Sequence, residues 1–330
     1  MIAVSAAACY LPAASVPVAD LLAGLDPGER ETCAALGIER VPADDTLGPT
    51  ELAARAGRRA LAEAGLDPSD IDVVLTVESR APDTLVSSEA TRLQAVLGAD
   101  RAMAFTVGGL GCASLTPALL AARGLLCADP GLANVLILHG SKPATPHRYR
   151  HPVTVNGDSG AALVITRDGP VRVRDILLET NGAYADLFRV HYRDRIAAQW
   201  REECADPPTY SFRLAVETRN RLRSLTAALL TRNGLGPDDI ACYLTQNLSQ
   251  AAFQSWAEAL GVPIAKPCLA NLAQHGHLGP NDLVLNLGAA IETGHLAPGD
   301  RAVLLNISPA AAWSALLVET GAPAGGAHHL

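Results

Sequence analysis

The chain has 330 residues, of which 49% are hydrophobic and 18% charged, and a net charge of −8. This composition supports a large folded core and excludes an intrinsically disordered protein. The acidic balance argues against nucleic acid as the main partner, because nucleic-acid binding requires a basic face. Length by itself suggests one large domain or two of about 150 residues each.

The cysteines and the chain ends restrict the class of protein further. Seven cysteines are scattered without any C-x-x-C pair, so neither a disulfide framework nor a zinc site is expected, and a reducing cytoplasm fits. The N-terminus lacks the basic start of a signal peptide, and no uninterrupted apolar run predicts a membrane span. The last ten residues, 321–330, are expected to fray. The pair His328-His329 is too short to indicate a metal site.

The first predicted elements are a strand over 1–10 and, after a mixed segment, a helix. The helix has its N-cap near Thr50, carries small apolar residues at helical spacing and ends at Gly65. A turn over 66–71 leads into a strand over 72–77. This helix–turn–strand order is typical of an α/β protein.

A predicted strand–turn–helix junction surrounds Cys112. The apolar run 104–107 precedes glycines at 108, 109 and 111, and a helix-forming run follows over 117–126. A helix dipole stabilises a thiolate at its N-terminus and lowers the thiol pKa. Cys112 is therefore predicted to be a nucleophile; the alternative is a buried cysteine that only packs.

The second part of the chain repeats the first. Residues 65–76 and 234–245, which are 169 positions apart, share Gly, Leu, Pro, Asp, Ile, Leu and Thr at matched places, and 134–139 resembles 301–306. A helix is predicted over 222–233 and strands over 134–139, 161–166, 241–245, 301–306 and 314–319. The repeat predicts two similar α/β halves, 1–168 and 169–330.

The repeat also places a second junction opposite Cys112. The position 169 residues further on lies in the segment 273–282, which contains His275, His277 and Asp282. If a pseudo-twofold axis relates the halves, a histidine of the second half can serve Cys112 as a base. Residues i and i+2 of an extended segment point the same way, so both histidines remain candidates. Asp282 either orients the histidine or is simply a carboxylate favoured at a helix N-terminus.

The His-Gly-His segment could also suggest a metal. His275 and His277 with Asp282 would supply three ligands, but no second cluster supports a metal and the helical i, i+4 pair of zinc hydrolases is absent from this motif. The sequence therefore predicts no metal.

Taken together, these pieces carry a family resemblance. The supporting segments are Gly37-Ile38-Glu39-Arg40, the helix and turn over 52–72, the Cys112 junction, and Gly-Asp-Ser-Gly-Ala-Ala at 157–162. Over nearly its whole length the chain resembles β-ketoacyl-acyl-carrier-protein synthase III, of the thiolase fold. The resemblance implies a five-layer α-β-α-β-α sandwich with two duplicated halves and a homodimer. It also implies an acyl thioester donor, on phosphopantetheine or coenzyme A, and no further cofactor.

The active-site positions depart from that family. Its Cys-His-Asn set would place histidine where Gln246 stands and asparagine where His277 stands, and its glycine-rich turn before the last strand is replaced by 309–313. The lost histidine and asparagine stabilise the enolate in decarboxylative condensation, whereas a nucleophile and one base suffice for acyl transfer. Gln246 either donates to the acyl oxygen or fills space. The further candidates for oxyanion contacts or site lining are Asn247, His275 and Trp313.

The set Cys112, His277 and Asp282 resembles a branch of the family found in antibiotic biosynthesis. Those members move an acyl group from a carrier-protein thioester to a hydroxyl or amine. We therefore expect an acyltransferase with an acyl-cysteine intermediate that takes an acyl group, such as an aromatic polyketide, to a secondary-metabolite acceptor. The alternatives are a condensing enzyme that uses malonyl thioester and a non-catalytic partner subunit of a heterodimeric synthase.

Two surfaces follow from local composition. Between 189 and 223 the chain has eight arginines against five acidic residues, which suggests a docking face for an acidic carrier protein or an ordinary solvated helix surface. The named docking candidates are Arg213, Arg219, Arg221 and Arg223. The aromatic-rich segment 183–215 is predicted to be an insertion that shapes a pocket for a flat acyl group, or a cap packed on the core.

Overall fold

A computed structural model describes residues 1–78, 80, 84, 86–145 and 147–321 of the chain. The residues predicted to fray after Gly321, with the pair His328-His329, lie outside the described residues. The strands are β1 (Ile2–Tyr10), β2 (Ser15–Pro17), β3 (Arg40–Pro42), β4 (Val73–Glu78), β5 (Met103–Gly108), β6 (Val135–Ser141), β7 (Tyr149–Arg150), β8 (Thr154–Val155), β9 (Ser159–Thr166), β10 (Val171–Thr180), β11 (Phe188–Val190), β12 (Glu202–Cys204), β13 (Cys242–Thr245), β14 (Arg301–Ser308) and β15 (Ala312–Thr320). The helices are α1 (Val18–Leu22), α2 (Pro27–Ala34), α3 (Pro49–Ala64), α4 (Glu89–Leu97), α5 (Leu115–Ala128), α6 (Ala215–Arg232), α7 (Gln250–Leu260), α8 (Lys266–His275) and α9 (Asn281–Glu292).

The large sheet has nine strands in the order β13-β14-β15-β10-β1-β9-β6-β4-β5. The sheet consists of two similar sets of strands that start at its centre. One set runs outward in the order β1-β9-β6-β4, and the other runs outward in the opposite direction in the matching order β10-β15-β14-β13. In both directions the outer strands are parallel (β4 with β6, β13 with β14) and the inner pairs are antiparallel. The two sets join where β1 pairs with β10 over three residues. The strand order therefore reproduces the repeat in the sequence.

Helices lie on both faces of the sheet strands, and two of them lie between the halves. Helix α5 contacts β4, β5 and β10, whereas α9 contacts β1, β9 and β13. On the outer faces, α3 packs on β1, β6 and β9, and α6 packs on β10 and β15. This gives the α-β-α-β-α layering that the resemblance implied.

The repeated sequence pattern corresponds to one repeated turn. Both α3 and α6 are followed by a glycine with positive φ, at positions 65 and 234. A 3₁₀ turn comes next in each half, at Pro68–Asp70 and Pro237–Asp239. Each turn is closed by an aspartate carboxylate that accepts a hydrogen bond from a backbone N–H three residues earlier, Asp70 from Asp67 at 2.8 Å and Asp239 from Gly236 at 2.7 Å. The matched Gly, Pro and Asp positions are therefore the residues that this turn requires.

Two helix starts differ from the predicted ones. Helix α3 begins at Pro49 with Gly48 as its N-cap instead of Thr50, because proline suits the first helical position. Helix α6 begins at Ala215, seven positions before the predicted start at 222, because a π-helical turn over Thr209–Leu214 runs directly into it. The ends of the other predicted strands and helices agree with the structure to within two residues.

Among the described residues, one segment is apolar enough to cross a membrane by length and composition. It is Gly111–Ala128, with a mean hydropathy of 1.4 over 18 residues. Half of it is buried inside the protein, and Leu115, Ala118 and Leu119 belong to the main hydrophobic core. Packing between the two halves accounts for the apolar character of α5.

Candidate active site

Cys112 lies in a 3₁₀ turn, Gly111–Ser114, that leads directly into α5. Gly111 has a φ of +52°, and a Cβ at this position would lie 2.8 Å from the Ser308 hydroxyl oxygen. The glycine therefore lets the turn approach the second half of the chain closely. Asn306, on β14, donates from its side-chain amide to the Cys112 carbonyl at 2.9 Å. The predicted strand–turn–helix junction around the cysteine is confirmed.

His277 lies in the loop between α8 and α9. Its backbone N–H donates to the Val155 carbonyl at 2.9 Å, and its own carbonyl accepts from the Gly157 N–H at 3.0 Å. These two bonds hold the residue against the first half of the chain. The His277 Nε2 is 3.0 Å from the Cys112 sulfur. The expected meeting of a cysteine from one half with a histidine from the other is confirmed.

Asp282 stands behind His277, in the first turn of α9. One carboxylate oxygen of Asp282 accepts a hydrogen bond from His277 Nδ1 at 2.6 Å and from the Asn247 backbone N–H at 2.8 Å. The other oxygen accepts from the Leu278 N–H at 2.8 Å. Because the carboxylate binds Nδ1, Nε2 is the ring nitrogen that faces the sulfur. Both interpretations of Asp282 that the sequence left open apply, because the carboxylate orients the imidazole and also lies at a helix N-terminus.

The structure chooses between the two candidate histidines. His275 is the last residue of α8, half-buried, and the next residue, Gly276, turns the chain with a φ of +59°. A Cβ at Gly276 would lie 2.6 Å from the Val155 carbonyl oxygen, so glycine is required for this turn. The turn separates the two histidines, and among the described side chains it is His277 that reaches Cys112 and Asp282.

The electrostatics of the pair favour a thiolate and an imidazolium. Burial alone would raise the pKa of the Cys112 thiol, but the charge and hydrogen bond of His277, with the charges of Arg150 and Arg80, lower it to about 7. Burial opposes protonation of His277, but the charges of Cys112 and Asp282 and their hydrogen bonds raise its pKa to about 9. The sulfur therefore loses its proton before the imidazole does.

Two buried arginines and a glutamate lie beside the cysteine and were not predicted from the sequence. Glu202 of β12 accepts a hydrogen bond from Arg150 Nη2 at 3.0 Å and stands 3.9 Å from Arg80 Nη1. Arg80 also donates to the Asn156 side-chain oxygen at 2.9 Å. Burial opposes ionisation of Glu202, but Arg150 and Arg80 keep the pKa of its carboxyl low. Two guanidinium groups thus share one carboxylate, and their remaining positive charge opposes the negative charge of the Cys112 thiolate.

Gln246 and Asn247 follow β13 and are fully buried. The Gln246 side-chain oxygen accepts a hydrogen bond from the Ile307 N–H at 3.0 Å, whereas its Nε2 has no hydrogen-bond partner. The Asn247 side-chain oxygen accepts from the Asn286 amide at 2.9 Å, and its backbone supports Asp282. Gln246 is therefore fixed in orientation with a free amide NH2 group, and the Asn247 backbone helps to hold the Asp282 carboxylate.

A cavity of about 310 Å³ adjoins these groups. Its walls include the side chains of Arg150, Tyr210, Leu214, Gln246, Trp256 and Ile307. The predicted lining residue Trp313 is not part of its wall. Trp313 is fully buried on β15 and donates from its indole to the hydroxyl of Thr218, which does line the cavity. A large aromatic side chain that packs against α6 fills the layer behind the wall.

The predicted insertion over 183–215 forms a hairpin of β11 and β12 followed by the π-helical turn. Of its aromatic side chains, Tyr210 lines the cavity, whereas Tyr192 and Trp200 pack on each other with ring centroids 6.0 Å apart and Phe212 is 72% exposed. Tyr184, Phe188 and Tyr210 pack against the main hydrophobic core, so the alternative of a cap packed on the core describes most of this segment, and Tyr210 also contributes to the cavity wall. Its larger contribution to the site is the Glu202 carboxylate, which β12 places against Arg150.

The four predicted docking arginines lie on or next to α6, but they are not equivalent. Arg221 forms ion pairs with Glu179 and Glu217 and lies over the Trp313 ring at 5.6 Å, so its charge is used within the fold. Arg219 lies 3.7 Å from the largely exposed Glu258. Arg213 and Arg223 are exposed.

The other reactive groups of the chain are the remaining cysteines and the possible metal ligands. All seven cysteines are free. Within the part of the chain that the structure describes, no three His, Cys, Asp or Glu side chains are grouped so that they could hold a metal ion.

Two duplicated α/β halves that bring a cysteine and a histidine together between facing helix N-termini define a protein of the thiolase-like fold. Comparisons with known proteins agree. Residues 230–320 match the family model described as 3-oxoacyl-[acyl-carrier-protein] synthase III C terminal. The chain is 28% identical over 320 residues to β-ketoacyl-[acyl-carrier-protein] synthase III of Ruegeria sp. strain TM1040. The aligned region covers 94% of this chain and 96% of that protein.

Solved structures show the same fold. An acyltransferase, ChlB3, superposes with a TM-score of 0.83 at 22% identity, over 98% of both chains. A tetronic acid condensing enzyme, AbyA1, superposes with a TM-score of 0.79 at 23% identity, over 97% of this chain and 100% of that one. In sequence and in fold the chain is therefore similar to ketosynthase III proteins.

Proposed function

We propose that the protein is an acyltransferase that carries an acyl group on Cys112 from a thioester donor to a hydroxyl or amine of a small secondary-metabolite acceptor. The observation that supports this most directly is the buried line of Cys112, His277 and Asp282, with 3.0 Å between sulfur and Nε2 and 2.6 Å between Nδ1 and carboxylate. A nucleophile, a base and an orienting acid are the groups that acyl transfer through a covalent intermediate requires.

In the first step the Cys112 thiolate attacks the donor carbonyl carbon. A carbon–sulfur bond to Cys112 forms, and the donor carbon–sulfur bond breaks. The donor leaves as a thiol with the proton of the His277 imidazolium. The Cys112 backbone N–H, at the start of α5, is in the proposed mechanism a donor to the oxyanion of the tetrahedral intermediate.

In the second step the acceptor replaces the donor. His277 Nε2, now neutral, takes the proton of the attacking hydroxyl or amine, and the acceptor oxygen or nitrogen bonds to the acyl carbon as the bond to Cys112 breaks. The sulfur leaves as a thiolate beside the regenerated imidazolium. Asp282 holds the ring in the orientation needed for both proton transfers, because its carboxylate is itself fixed by two backbone N–H groups.

The same residues support transfer more than condensation. Decarboxylative condensation needs two donors at the enolate oxygen, and here the single histidine of the centre is paired with the sulfur and with Asp282. Gln246 offers an uncharged amide NH2 group where the family resemblance predicts a histidine. A condensing activity remains the second candidate, since relatives bear the name of a synthase and AbyA1 that of a condensing enzyme.

The proposed donor is a carrier-protein or coenzyme A thioester, with no other cofactor. Exposed Arg213, Arg219 and Arg223 are the proposed docking residues for an acidic carrier protein. The proposed assembly is a cytoplasmic homodimer, supported by β5, which ends the nine-stranded sheet with one open edge and exposes part of Met103. An unpaired edge strand is a template for pairing with a second chain.

The deciding experiment is intact-protein mass spectrometry after incubation with a panel of aryl and alkyl thioesters. We expect the mass of one acyl group to appear on the wild-type protein and to be lost when an amine or alcohol acceptor is added. A Cys112→Ala variant that still forms product at the wild-type rate contradicts the covalent route. Carbon dioxide release from malonyl thioester with formation of a carbon–carbon bond would favour the condensing enzyme.

A further inference from the structure

The side-chain amide of Gln246 has a buried NH2 group in the wall of the cavity beside Cys112. Gln246 follows β13, is 1% exposed and lines that cavity. Its Nε2 has no hydrogen-bond partner among the residues that the structure describes. A buried amide without a partner is costly, so a donor of this kind in a cavity wall indicates an acceptor that a ligand supplies.

The other end of the Gln246 amide is fixed. The Ile307 N–H donates to Gln246 Oε1 at 3.0 Å and to the Asn306 side-chain oxygen at 3.1 Å. Asn306 donates in turn from its own amide to the Cys112 carbonyl at 2.9 Å. Because the Ile307 N–H needs an acceptor, Gln246 cannot exchange its oxygen and nitrogen without losing this bond. The NH2 group therefore keeps one orientation before any substrate binds.

Hydrogen bonds on two sides place this amide close to the sulfur. On one side, the bonds just described end at the Cys112 carbonyl. On the other side, the backbone N–H of the next residue, Asn247, donates at 2.8 Å to Asp282, the carboxylate that orients the catalytic imidazole. Arg150, which lines the same cavity as Gln246, is a charge and hydrogen-bond partner of the sulfur. The cavity therefore opens at the sulfur, where the carbonyl group of a thioester has to lie.

We propose that Gln246 is a further catalytic residue, whose NH2 group donates a hydrogen bond to the acyl oxygen and stabilises the oxyanion of the tetrahedral intermediate. This role rests on the proposed acyl transfer and adds a side-chain donor to the backbone N–H of Cys112. In each step the carbonyl π electrons move onto the oxygen as the nucleophile adds, and they return as the leaving group departs. Gln246 gains and loses no proton. A donor that is fixed in advance in a buried site stabilises such a charge without reorganising.

The absence of charge on Gln246 separates this role from activation of the nucleophile. The pKa of the Cys112 thiol depends on its burial and on the charges of His277, Arg150 and Arg80. Loss of the neutral amide should therefore slow reactions that pass through an oxyanion and leave other reactions of the sulfur unchanged. Alkylation by iodoacetamide is a reaction of the second kind, because the sulfur displaces iodide from a saturated carbon and no charge develops on an oxygen.

The test compares acylation of Cys112 with its alkylation by iodoacetamide at one pH, both followed by intact-protein mass spectrometry without an acceptor. The donors are the S-ethyl and coenzyme A thioesters of the acyl group that labels wild-type protein fastest. The ratio of the two rates cancels any change in the fraction of thiolate. We expect Gln246→Met, which fills similar space without a donor, to lower this ratio at least tenfold while alkylation stays within twofold of wild type. The matched control is Gln94→Met, because Gln94 donates to the Ala102 carbonyl outside the site, and its ratio should equal that of wild type.

Three results would overturn the proposed role of Gln246. An unchanged ratio in Gln246→Met means that the amide only fills space. Equal slowing of both reactions means that the variant acts on the sulfur or on the fold. A lower ratio with the coenzyme A thioester alone means that the amide binds the pantetheine arm of the donor. If Gln246→Met does not fold, Gln246→Glu decides by the same ratio, because it retains the oxygen that accepts from Ile307 and loses the NH2 group. In all these outcomes wild-type protein is acylated, whereas a wild-type protein that no thioester labels refutes the proposed function itself.

Discussion

Cys112 and His277 are 165 residues apart in the chain, yet the sulfur and Nε2 are 3.0 Å apart. Each comes from a different half of the protein and lies just before a central helix, α5 or α9. The contact therefore exists only when the two halves are correctly packed. The reactivity of the sulfur therefore depends on how stably the two halves pack against each other.

The first prediction concerns the nucleophile. Cys112→Ala is expected to abolish the acyl adduct and to lower acyl transfer by about 10³-fold or more, because the covalent route is lost. Intact-protein mass and product formation measure the two effects. The matched control is Cys127→Ser, since Cys127 is an exposed cysteine outside the site. An adduct that persists in Cys112→Ala and disappears in Cys127→Ser contradicts the assignment.

The second prediction concerns the orienting acid. Asp282→Asn is expected to reduce turnover about 10²-fold or more while the protein stays folded, because an amide cannot hold the imidazole in its present tautomer and stabilise its charge. Asp282→Ala removes the acceptor of two backbone N–H groups as well, so it should also lower the free energy of unfolding by about 1–3 kcal/mol. Denaturant unfolding of both variants separates the two roles. Equal activity of Asp282→Asn and wild type would contradict the mechanism.

The third prediction concerns pH. The pKa of the Cys112 thiol is lowered to about 7, so alkylation by iodoacetamide should rise through neutral pH and then stay constant. Acylation needs the imidazolium proton as well, and the pKa of His277 is raised to about 9. Acylation should therefore fall again at higher pH, whereas alkylation should not.

The His277→Ala variant tests the cause of this profile. Without the imidazolium the midpoint of alkylation should move upward by one unit or more, because burial then opposes ionisation with only Arg150 and Arg80 to favour it. His275→Ala, which alters the neighbouring histidine, should leave the midpoint unchanged. The same upward shift in both variants would show that the assignment of the base is wrong.

The fourth prediction concerns the open edge of the sheet. The Met103 N–H donates to the Asp72 carbonyl next to β4, so the N–H groups of Ala104 and Thr106 face the open side of β5. Ala104→Pro removes one of them and should weaken a dimer that forms by strand pairing, whereas Ala104→Ser should not. Light scattering should show half the wild-type mass for the proline variant. A wild-type protein that is already monomeric contradicts the proposed homodimer.

The fifth prediction concerns carrier docking. Reversal of Arg213, Arg219 and Arg223 to glutamate should raise KM for a carrier-bound donor by about tenfold and leave KM for a small thioester unchanged. Arg221 is left intact, because its ion pairs with Glu179 and Glu217 make any effect of its loss structural. Arg101→Glu, at another exposed arginine, is the control. Equal effects on both donors would contradict docking at this face.

Much of the fold could be predicted, because the sequence patterns that specify it lie within short segments of the chain. Glycines with positive φ after α3 and α6, and the aspartates that close the following turns, must recur wherever this turn recurs, and they made the repeat visible. The same repeat placed Cys112 opposite the segment that contains His277. The likeness of the Cys-His-Asp set to one branch of the ketosynthase III family supports the proposed acyl transfer.

The sequence by itself determined that a cysteine stands at a strand–helix junction, that the chain is duplicated, and that two histidines are available to serve the cysteine. The tertiary structure decided which histidine serves, through the turn at Gly276, and placed Trp313 behind the cavity wall. It also revealed Arg80, Arg150 and Glu202, which come from three separate segments. No periodicity or spacing along the chain marks such a cluster, because the Coulomb interactions that define it depend on distances in space, which packing alone sets.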